Sequence, residues 1–313
     1  MKEQDLSSLC KELDISSIAT LLLRDLPTEH KDLVQEAKEF LPEVTSALIA
    51  SYCYATERPP VPDEEPRGHI APYMWASFYR HLRKKLVKLS KRIGGKSKIS
   101  VNGRLSEKSW ALAAELGFRG EHSIIITPHY GSLVILGILL TSEALPKIAP
   151  PPLPPKRCEG CQACMKACPT KALAGNGVLI REKCIQHLCA QAQPLAEETM
   201  KLWGNRLYGC STCQDVCPYN SKVPKRDELP QVGLVGPSLP LLPILKMTEE
   251  EFRRYVAKNQ MARRFVDFRA IKRNALLALR GHDSVAARKA IVSFCDDKDE
   301  LLRETARFLK STT

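Results

Sequence analysis

The spacing of the cysteines limits this chain more than any other feature. Nine of its twelve cysteines fall between Cys158 and Cys217. The stretch "CEGCQACMKACP" sets Cys158, Cys161, Cys164 and Cys168 in the pattern C-x2-C-x2-C-x3-C-P. Spacings this short let three thiolates reach three irons of one 4Fe-4S cubane, while the fourth ligates a neighbouring cluster. A second half, "CSTCQDVCP", carries Cys210, Cys213, Cys217 and Pro218 but lacks a first cysteine close by. Cys184, in "REKCIQ", supplies it across a long insertion. The crossover then assigns Cys158, Cys161, Cys164 and Cys217 to the first cluster. The second takes Cys168, Cys184, Cys210 and Cys213. Cys189 is a fallback ligand in place of Cys184; otherwise it reads as a small buried hydrophobe. A structural zinc site needs only one pair of C-x2-C knuckles, and eight cysteines in this spacing exceed that need. Cys10, Cys53 and Cys295 stand apart as ordinary thiols.

Clustered cysteines favour metal over disulfides in a reducing compartment. The polar opening "MKEQDLSSLCKELD" has no secretory core, and the longest strongly apolar run, Ser132 to Leu140, is too short to span a bilayer. A cytoplasmic protein with no membrane partner is expected. A length of 313 residues suits two domains, or one core with an appended module.

Three segments follow from composition. Residues 1–149 read as an α/β domain. Within it, 1–45 are expected to be helical from the periodicity of "IATLLLRDL" and "LVQEAKEFL". "TSALIASYCY" reads as a buried strand, 73–93 as a long basic amphipathic helix, and "KISVN" as a short strand. Leu105 to Leu116 reads as a helix, and "HSIIITP" and "SLVILGILL" as strands. The proline-dense "LPKIAPPPLPPKR" should be a stiff extended linker. Residues 150–240 hold the cluster module. Residues 241–313 are helical, and "IKRNALLALRGHDSVAARKAIVSFCDDKDELLRETARFLKS" resembles HEAT-type helix pairs.

The chain carries 47 Lys and Arg against 35 Asp and Glu, a formal net charge of +12. No Asp or Glu occurs between Pro66 and Ser106, where Arg80, Arg83, Lys84, Lys85 and Lys88 lie. A second basic run includes Arg253, Arg254, Lys258, Arg263, Arg264, Arg269, Lys272 and Arg273. Runs of this kind are solvated helix faces or phosphate-binding surfaces.

Taken together, "GNRLYGCSTCQDVCPYN", "CEGCQACMKACPTKAL" with "REKCIQ", "TEEEFR", "TPHYGSLVILGILLT" and "GHIAPYMWASFYRHLRKKL" resemble the epoxyqueuosine reductase family from Gly68 onward. The resemblance implies an α+β protein: a nitroreductase-like cobalamin domain, a bacterial ferredoxin-like double-cluster module and short HEAT-like helices. It implies two 4Fe-4S clusters that reduce a base-off cobalamin to a nucleophilic Co(I) state. It further implies loss of the epoxide oxygen of epoxyqueuosine in a tRNA anticodon stem-loop, with flavodoxin or ferredoxin as electron donor. The cofactor-binding candidates it supplies are Asn102, His129, Tyr130, Gly131, Ser132, Arg206 and Tyr208.

One departure bears on catalysis. The family pattern near its proton-donating aspartate reads approximately V-D-T-A-P-V-L-E-R, and here the sequence is "VNGRLSEKSW", with Asn102 at the aspartate's place. An amide can orient an oxygen but has no acidic proton at neutral pH. The family's G-K-N before the next strand is Gly120, Glu121 and His122. The catalytic candidates are therefore Asn102, Tyr79, Glu107 and His122. Two other readings stand beside a tRNA-modifying reductase. One is a corrinoid and iron–sulfur reductase acting on another small molecule or a protein-bound corrinoid; the other is an electron-transfer protein.

Overall fold

A run that is apolar on both alternating faces becomes a strand covered from both sides, and "SALIASYC" does so. In the computed structural model, which describes residues 2–60, 62, 65–154 and 157–312, all eight of its residues are buried. The chain enters through helix α1 (Glu3–Glu12), strand β1 (Ser17–Leu22), helix α2 (Lys31–Phe40) and this strand, β2 (Ser46–Cys53). Strand β3 (Arg67–Ile70), helix α3 (Phe78–Ile93), strand β4 (Ser97–Ser100) and helix α4 (Glu107–Ala113) follow. The short strands β5 (Phe118–Arg119) and β6 (Ile125–Ile126) lead to β7 (Val134–Thr141).

Four of these strands form one antiparallel sheet in the order β1-β2-β7-β4. The period-2 alternation of β2 divides its side chains between two cores. Leu48, Ala50 and Tyr52 pack with Leu82, Leu86 and Leu89 of α3 and with Leu6 and Cys10 of α1. Ala47 and Ile49 face Trp110 and Ala111 of α4 and Ala37 of α2. Gly137 in β7 leaves room for α3: a Cβ there would lie 3.0 Å from Leu86 and 3.1 Å from Leu82.

The expectation that 1–45 is all helix is corrected by β1. Ser17–Leu22 pairs with β2 from Ser17↔Ser51 to Leu22↔Ser46. A short apolar run does not by its periodicity distinguish helix from strand. Here the open edge of β2 decides, and the β-branched Ile18 and Thr20 suit the pleat. Around the helices the boundaries tighten. Residues 72–74 form a separate 3-10 turn before α3, and of "HSIIITP" only Ile125 and Ile126 form a strand, with Thr127 in an isolated bridge to Gly131.

The proline segment has no helix or strand over 144–154; Pro155 and Lys156 lie outside the described residues. It runs beside β1, tied by Ile148 N–H to Thr20 Oγ1 at 2.7 Å and by Thr20 N–H to the Ile148 carbonyl at 3.1 Å.

Beyond it come α5 (Ala163–Ala167), β8 (Leu173–Gly175), β9 (Val178–Leu179), α6 (Ile185–Leu188), α7 (Glu197–Lys201), β10 (Arg206–Tyr208) and α8 (Thr212–Asp215). Strand β11 (Ser238–Pro240) and helices α9 (Leu241–Lys246), α10 (Glu249–Tyr255), α11 (Phe268–Leu279), α12 (Val285–Ser293) and α13 (Glu300–Thr312) complete the chain. A second sheet, β10-β3-β11, takes a strand from each of three distant stretches, and one core joins Ile70, Trp75, Trp203, Tyr208, Leu241 and Ile271. Helix α10 starts on a reciprocal cap in which Thr248 and Glu251 satisfy each other's backbone. In α11, Arg273 is fully buried. Its guanidinium donates to the carbonyls of Leu188, Gln191 and Gln193 at 2.8–2.9 Å. The next residue, Asn274, donates to Cys189 and Leu207 carbonyls. Helix α11 is thus stitched to the backbone of the cluster module.

Candidate active site

Turns that expose thiols around a common point are what short cysteine spacings make. Cys158, Cys161, Cys164 and Cys217 line one cavity, with His122 and Tyr219. Cys168, Cys184, Cys210 and Cys213 line a second, of about 310 Å³. Among the described residues no three His, Cys, Asp or Glu side chains converge tightly enough to hold a single ion; the thiols stand apart around two spaces. That arrangement fits two cubanes, whose ligands are spread over four irons. Cys189 lines neither cavity. It is fully buried, its Sγ donates to the Gln186 carbonyl at 3.1 Å, and it accepts from Gly209 N–H at 3.3 Å. Burial pushes its thiol up to about 12.

The ligand thiols are raised too. Burial, with neighbouring thiols adding, pushes Cys213 to about 12. Burial also takes Cys217 to about 11, against the Tyr219 backbone hydrogen bond. A coordinating metal deprotonates a thiol outright, so assembly of clusters here releases protons. Cys161 is exposed, which brings the first cluster site to the surface. The second faces inward, onto Tyr54, Tyr73, Tyr79, Ser132, Val134 and Ile135.

Tyr79 is shared between this cavity and another of about 560 Å³. The outer cavity is lined by Arg80, Arg83 and Lys84 from α3 and by Lys258 and Arg263 from the far end of the chain. The two basic runs meet across it. None of these five cations has a carboxylate partner among the described residues. By contrast Arg253 and Arg269 are ion-paired, and Arg273 is a buried tie. Asn102 lies on the rim of the outer cavity, exposed and left-handed at φ +49°, a conformation that Asn and Asp tolerate.

Burial pushes the Tyr79 phenol up to about 12, with the Glu107 carboxylate adding, so it stays a proton donor at neutral pH. Glu107 reaches neither cavity; it accepts from Gly103 N–H at 3.1 Å and Ser100 Oγ at 3.5 Å, closing the loop that carries Asn102. His122 lines both cluster cavities, and burial, with Lys108 adding, holds its imidazole down to about 4.

The remaining cofactor candidates divide. Ser132 lines the inner cavity. Its N–H donates to Asn220 Oδ1 at 2.8 Å. Gly131 is left-handed at φ +51°, and a Cβ there would lie 2.2 Å from Asn220 Oδ1; only glycine lets this turn seat on the cluster module. Tyr130 packs beside Cys53, Val134 and Val223 and does not itself line the inner cavity. His129 is exposed with its ring against Tyr130. Arg206 is spent on the Trp203 carbonyl and Thr212 Oγ1, and Tyr208 is buried in the core around α11. Neither lines the inner or the outer cavity.

Sequence reasoning passed over Tyr54, Tyr73 and Gln214. Gln214 is buried and donates to Tyr54 Oη at 2.8 Å and to the Ser132 carbonyl at 2.7 Å. Tyr73 Oη accepts from Cys210 N–H at 3.2 Å. The only sequence signal for them is adjacency to the motifs, Gln214 following Cys213.

Residues 157–220 match the 4Fe-4S double cluster binding domain family. An epoxyqueuosine reductase of Staphylococcus aureus is 32% identical over 284 residues, covering 87% of this chain and 73% of the relative. The crystal structure of an epoxyqueuosine reductase with a tRNA-Tyr epoxyqueuosine-modified stem loop superposes with a TM-score of 0.82. It is 26% identical, and the match covers 98% of this chain and 88% of that one. The Bacillus subtilis enzyme, solved with its aspartate-bearing catalytic loop swung out of the active site, gives 0.81 at 26% identity over 98% and 89%. The mixed α/β architecture is theirs.

Proposed function

The chain belongs to the epoxyqueuosine reductase family, and on that premise we propose that it reduces epoxyqueuosine to queuosine in a tRNA anticodon stem-loop. Two 4Fe-4S clusters, held by the eight thiols, would supply the electrons, and a corrinoid would supply the reducing metal centre. The observation that carries this reading is the sequence of three spaces, each adjoining the next: a four-thiol site that reaches the surface at Cys161, an inner cavity that joins the other four thiols to aromatic walls, and a basic cavity. A reductant such as flavodoxin or ferredoxin meets the exposed end.

The inner cavity suits a corrinoid in its donor set. Beside its four thiols the walls include Tyr54, Tyr73, Tyr79, Val134 and Ile135, and Gln214, Tyr54 and Ser132 are already fixed by one another. This cavity of about 310 Å³ is at the lower end of ligand pockets and would be shared with the second cubane, so a corrinoid would also need the adjoining cavity that Tyr79 lines. When bound it supplies a strongly reducing metal centre at which the epoxide C–O bond opens. The protein's own part is to hold the substrate, exclude water and deliver a proton. Arg80, Arg83, Lys84, Lys258 and Arg263 match the phosphates of a folded RNA strand. Asn102, at the rim, orients the departing oxygen as acceptor or amide donor. Tyr79, which lines both cavities, is the proton donor in place of the aspartate that the Bacillus subtilis enzyme carries on its catalytic loop.

The test is a single-turnover reaction of the anaerobic, cluster-loaded protein with cobalamin and epoxyqueuosine tRNA. Queuosine formation dependent on both cofactors is the expected result. Cluster-loaded protein that binds neither cobalamin nor tRNA would leave an electron carrier as the reading.

A further inference from the structure

Among the described residues His122 alone lines both four-thiol cavities. The residue is 3% exposed. The backbone N–H of Ile124 donates to its Nδ1 at 3.2 Å. A ring nitrogen that accepts carries no proton, so the neutral imidazole holds its proton on Nε2. That Nε2 has no hydrogen-bond partner among the described residues. Buried polar groups are nearly always paired, and an orphaned one points to a further group that completes it.

We propose that His122 Nε2–H donates a hydrogen bond to a sulfur of an adjoining cubane and so sets the balance of reduction potential between the two clusters. The inference rests on the two-cluster reading above. Reduction adds negative charge to a cluster, and a donor aimed at its sulfur stabilises the reduced form more than the oxidised one. The potential of the cluster that accepts is thereby raised. Backbone donors act in the same sense at the ligands, as Ala172 N–H does at Cys168 Sγ, 3.2 Å away. His122 differs in being a side chain at the junction of both sites. Selective stabilisation of one reduced cluster decides where an electron rests before it leaves for the inner cavity.

The experiment is an EPR-monitored redox titration of the full chain, reconstituted anaerobically, as wild type, His122→Leu and His122→Gln. Iron and sulfide are counted first, with about eight of each expected in all three. His122→Leu should lower the potential of one cluster by about tenfold in the one-electron equilibrium constant, about 59 mV. His122→Gln keeps an N–H donor and should stay within about threefold of wild type. Unchanged potentials in His122→Leu at full iron content would overturn the proposal. Loss of four irons from a folded His122→Leu protein would make the imidazole an iron ligand and overturn it as well. Wild type that never reaches eight irons removes the two-cluster reading itself, a failure distinct from an unshifted potential. Should His122→Leu not fold, pulsed EPR on 15N-histidine-labelled protein reads the same hydrogen bond. It is done in a His187→Gln background, since His187 lies three positions after Cys184. A coupled imidazole nitrogen on a reduced cluster is expected, and its absence would refute the hydrogen bond.

Discussion

Asp14 and Arg226 lie 212 positions apart and close a two-pronged ion pair, Nη1 to Oδ2 at 2.9 Å and Nη2 to Oδ1 at 2.8 Å. Lys85 Nζ reaches the same carboxylate at 3.1 Å. The guanidinium also covers the Tyr52 ring at 4.2 Å and donates to the Cys53 carbonyl at 2.6 Å. The segment leaving the cluster module is thereby clamped to the central strand of the first sheet. Isolated exposed pairs contribute little, but a bidentate, networked and half-buried one contributes more. Asp14→Asn should destabilise by about 0.5–1 kcal/mol. Arg226→Ala, which also removes the aromatic and carbonyl interactions, should destabilise by about 2–4 kcal/mol. Anaerobic urea unfolding followed by tryptophan fluorescence checks both. Equal midpoints for the two variants would show that the carboxylate carries the whole effect.

The same clamp makes the fold sensitive to mild acid. The His81 ring sits 4.9 Å from that of Tyr52. Burial first, then Lys85, Arg226 and Lys84, hold its pKa down to about 4, while Asp14 pulls the other way. Unfolded, a histidine titrates near pH 6.5. Between about 6.5 and 4 the unfolded chain binds more protons, so stability falls as pH drops through that window. The slope is at most about 1.4 kcal/mol per pH unit for one proton, and less here because the ring is half exposed. Asp14 extends the loss to lower pH. Burial raises its carboxyl, but the hydrogen bonds from Arg226 and Lys85 outweigh this and hold it below its usual range. His69, His122 and His187 are depressed as well, so the informative quantity is a difference. His81→Gln should flatten the pH 4–6.5 limb relative to wild type, measured as urea midpoint against pH.

Where local chemistry constrains the chain, the sequence was sufficient. Cysteine spacing forces short turns around a shared centre, so the partition of eight thiols between two cavities is visible in one dimension. The buried strand Ser46–Cys53 and the Thr248–Glu251 cap are local for the same reason. What depends on partners across the fold was hidden. Strand β1 exists because β2 has an edge to fill. Arg273 belongs to a basic run in sequence but is buried against three carbonyls. His129, Arg206 and Tyr208 adjoin motifs in sequence, yet none of the three lines the inner or outer cavity. Gln214 and Tyr54 acquire their place only when the cluster module docks on the turn at Gly131.

Two neighbouring cysteines separate ligand from core. Cys184 lines the inner cavity, whereas Cys189 is fully buried with both its hydrogen-bond roles filled by backbone. Cys184→Ser should lower iron toward about four per chain and remove one EPR signal, leaving the first cluster. Cys189→Ala should keep both clusters and lose about 1–3 kcal/mol of stability through the orphaned Gly209 N–H. Full iron in Cys184→Ser, with loss in Cys189→Ala, would reverse the two roles.

The convergence of two basic runs sharpens the prediction for RNA. Arg83, Lys84, Lys258 and Arg263 face one cavity; Lys88 lies on the same helix as Lys84 but is not among its lining residues. Removing one phosphate-neutralising cation should reduce the slope of log K against log salt by about 0.7–0.9. Lys84→Ala with Lys258→Ala should therefore flatten the slope by about 1.4–1.8. Lys88→Ala should leave it close to wild type. Binding isotherms of an anticodon stem-loop between low and moderate salt provide the comparison, and an equal effect of Lys88 would place the RNA along α3 rather than in the cavity.

The proton donor is decided by Tyr79 and Asn102 together. Opening an epoxide leaves an alkoxide that must be protonated, and an amide does not give up a proton at neutral pH. Tyr79 stands at the boundary of the aromatic and basic cavities with its phenol held up to about 12. Tyr79→Phe should slow single-turnover queuosine formation by roughly 10²–10⁴-fold if proton transfer limits the rate. Cobalamin and tRNA affinity should change far less. Asn102→Asp introduces a carboxylate at the rim in a left-handed position that Asp also tolerates. It should raise the rate below its own pKa, where the acid form is populated, and have little effect well above it. The loop is tied by Glu107, and a misplacement of about 1 Å can cost about 10²-fold, so the gain is read from the pH dependence rather than from one rate. A Tyr79→Phe, Asn102→Asp double variant completes the cycle. Rescue of Tyr79→Phe by Asn102→Asp at low pH would show that the two groups serve the same oxygen. An unimpaired Tyr79→Phe would direct the search for the proton to ordered water at the Asn102 rim.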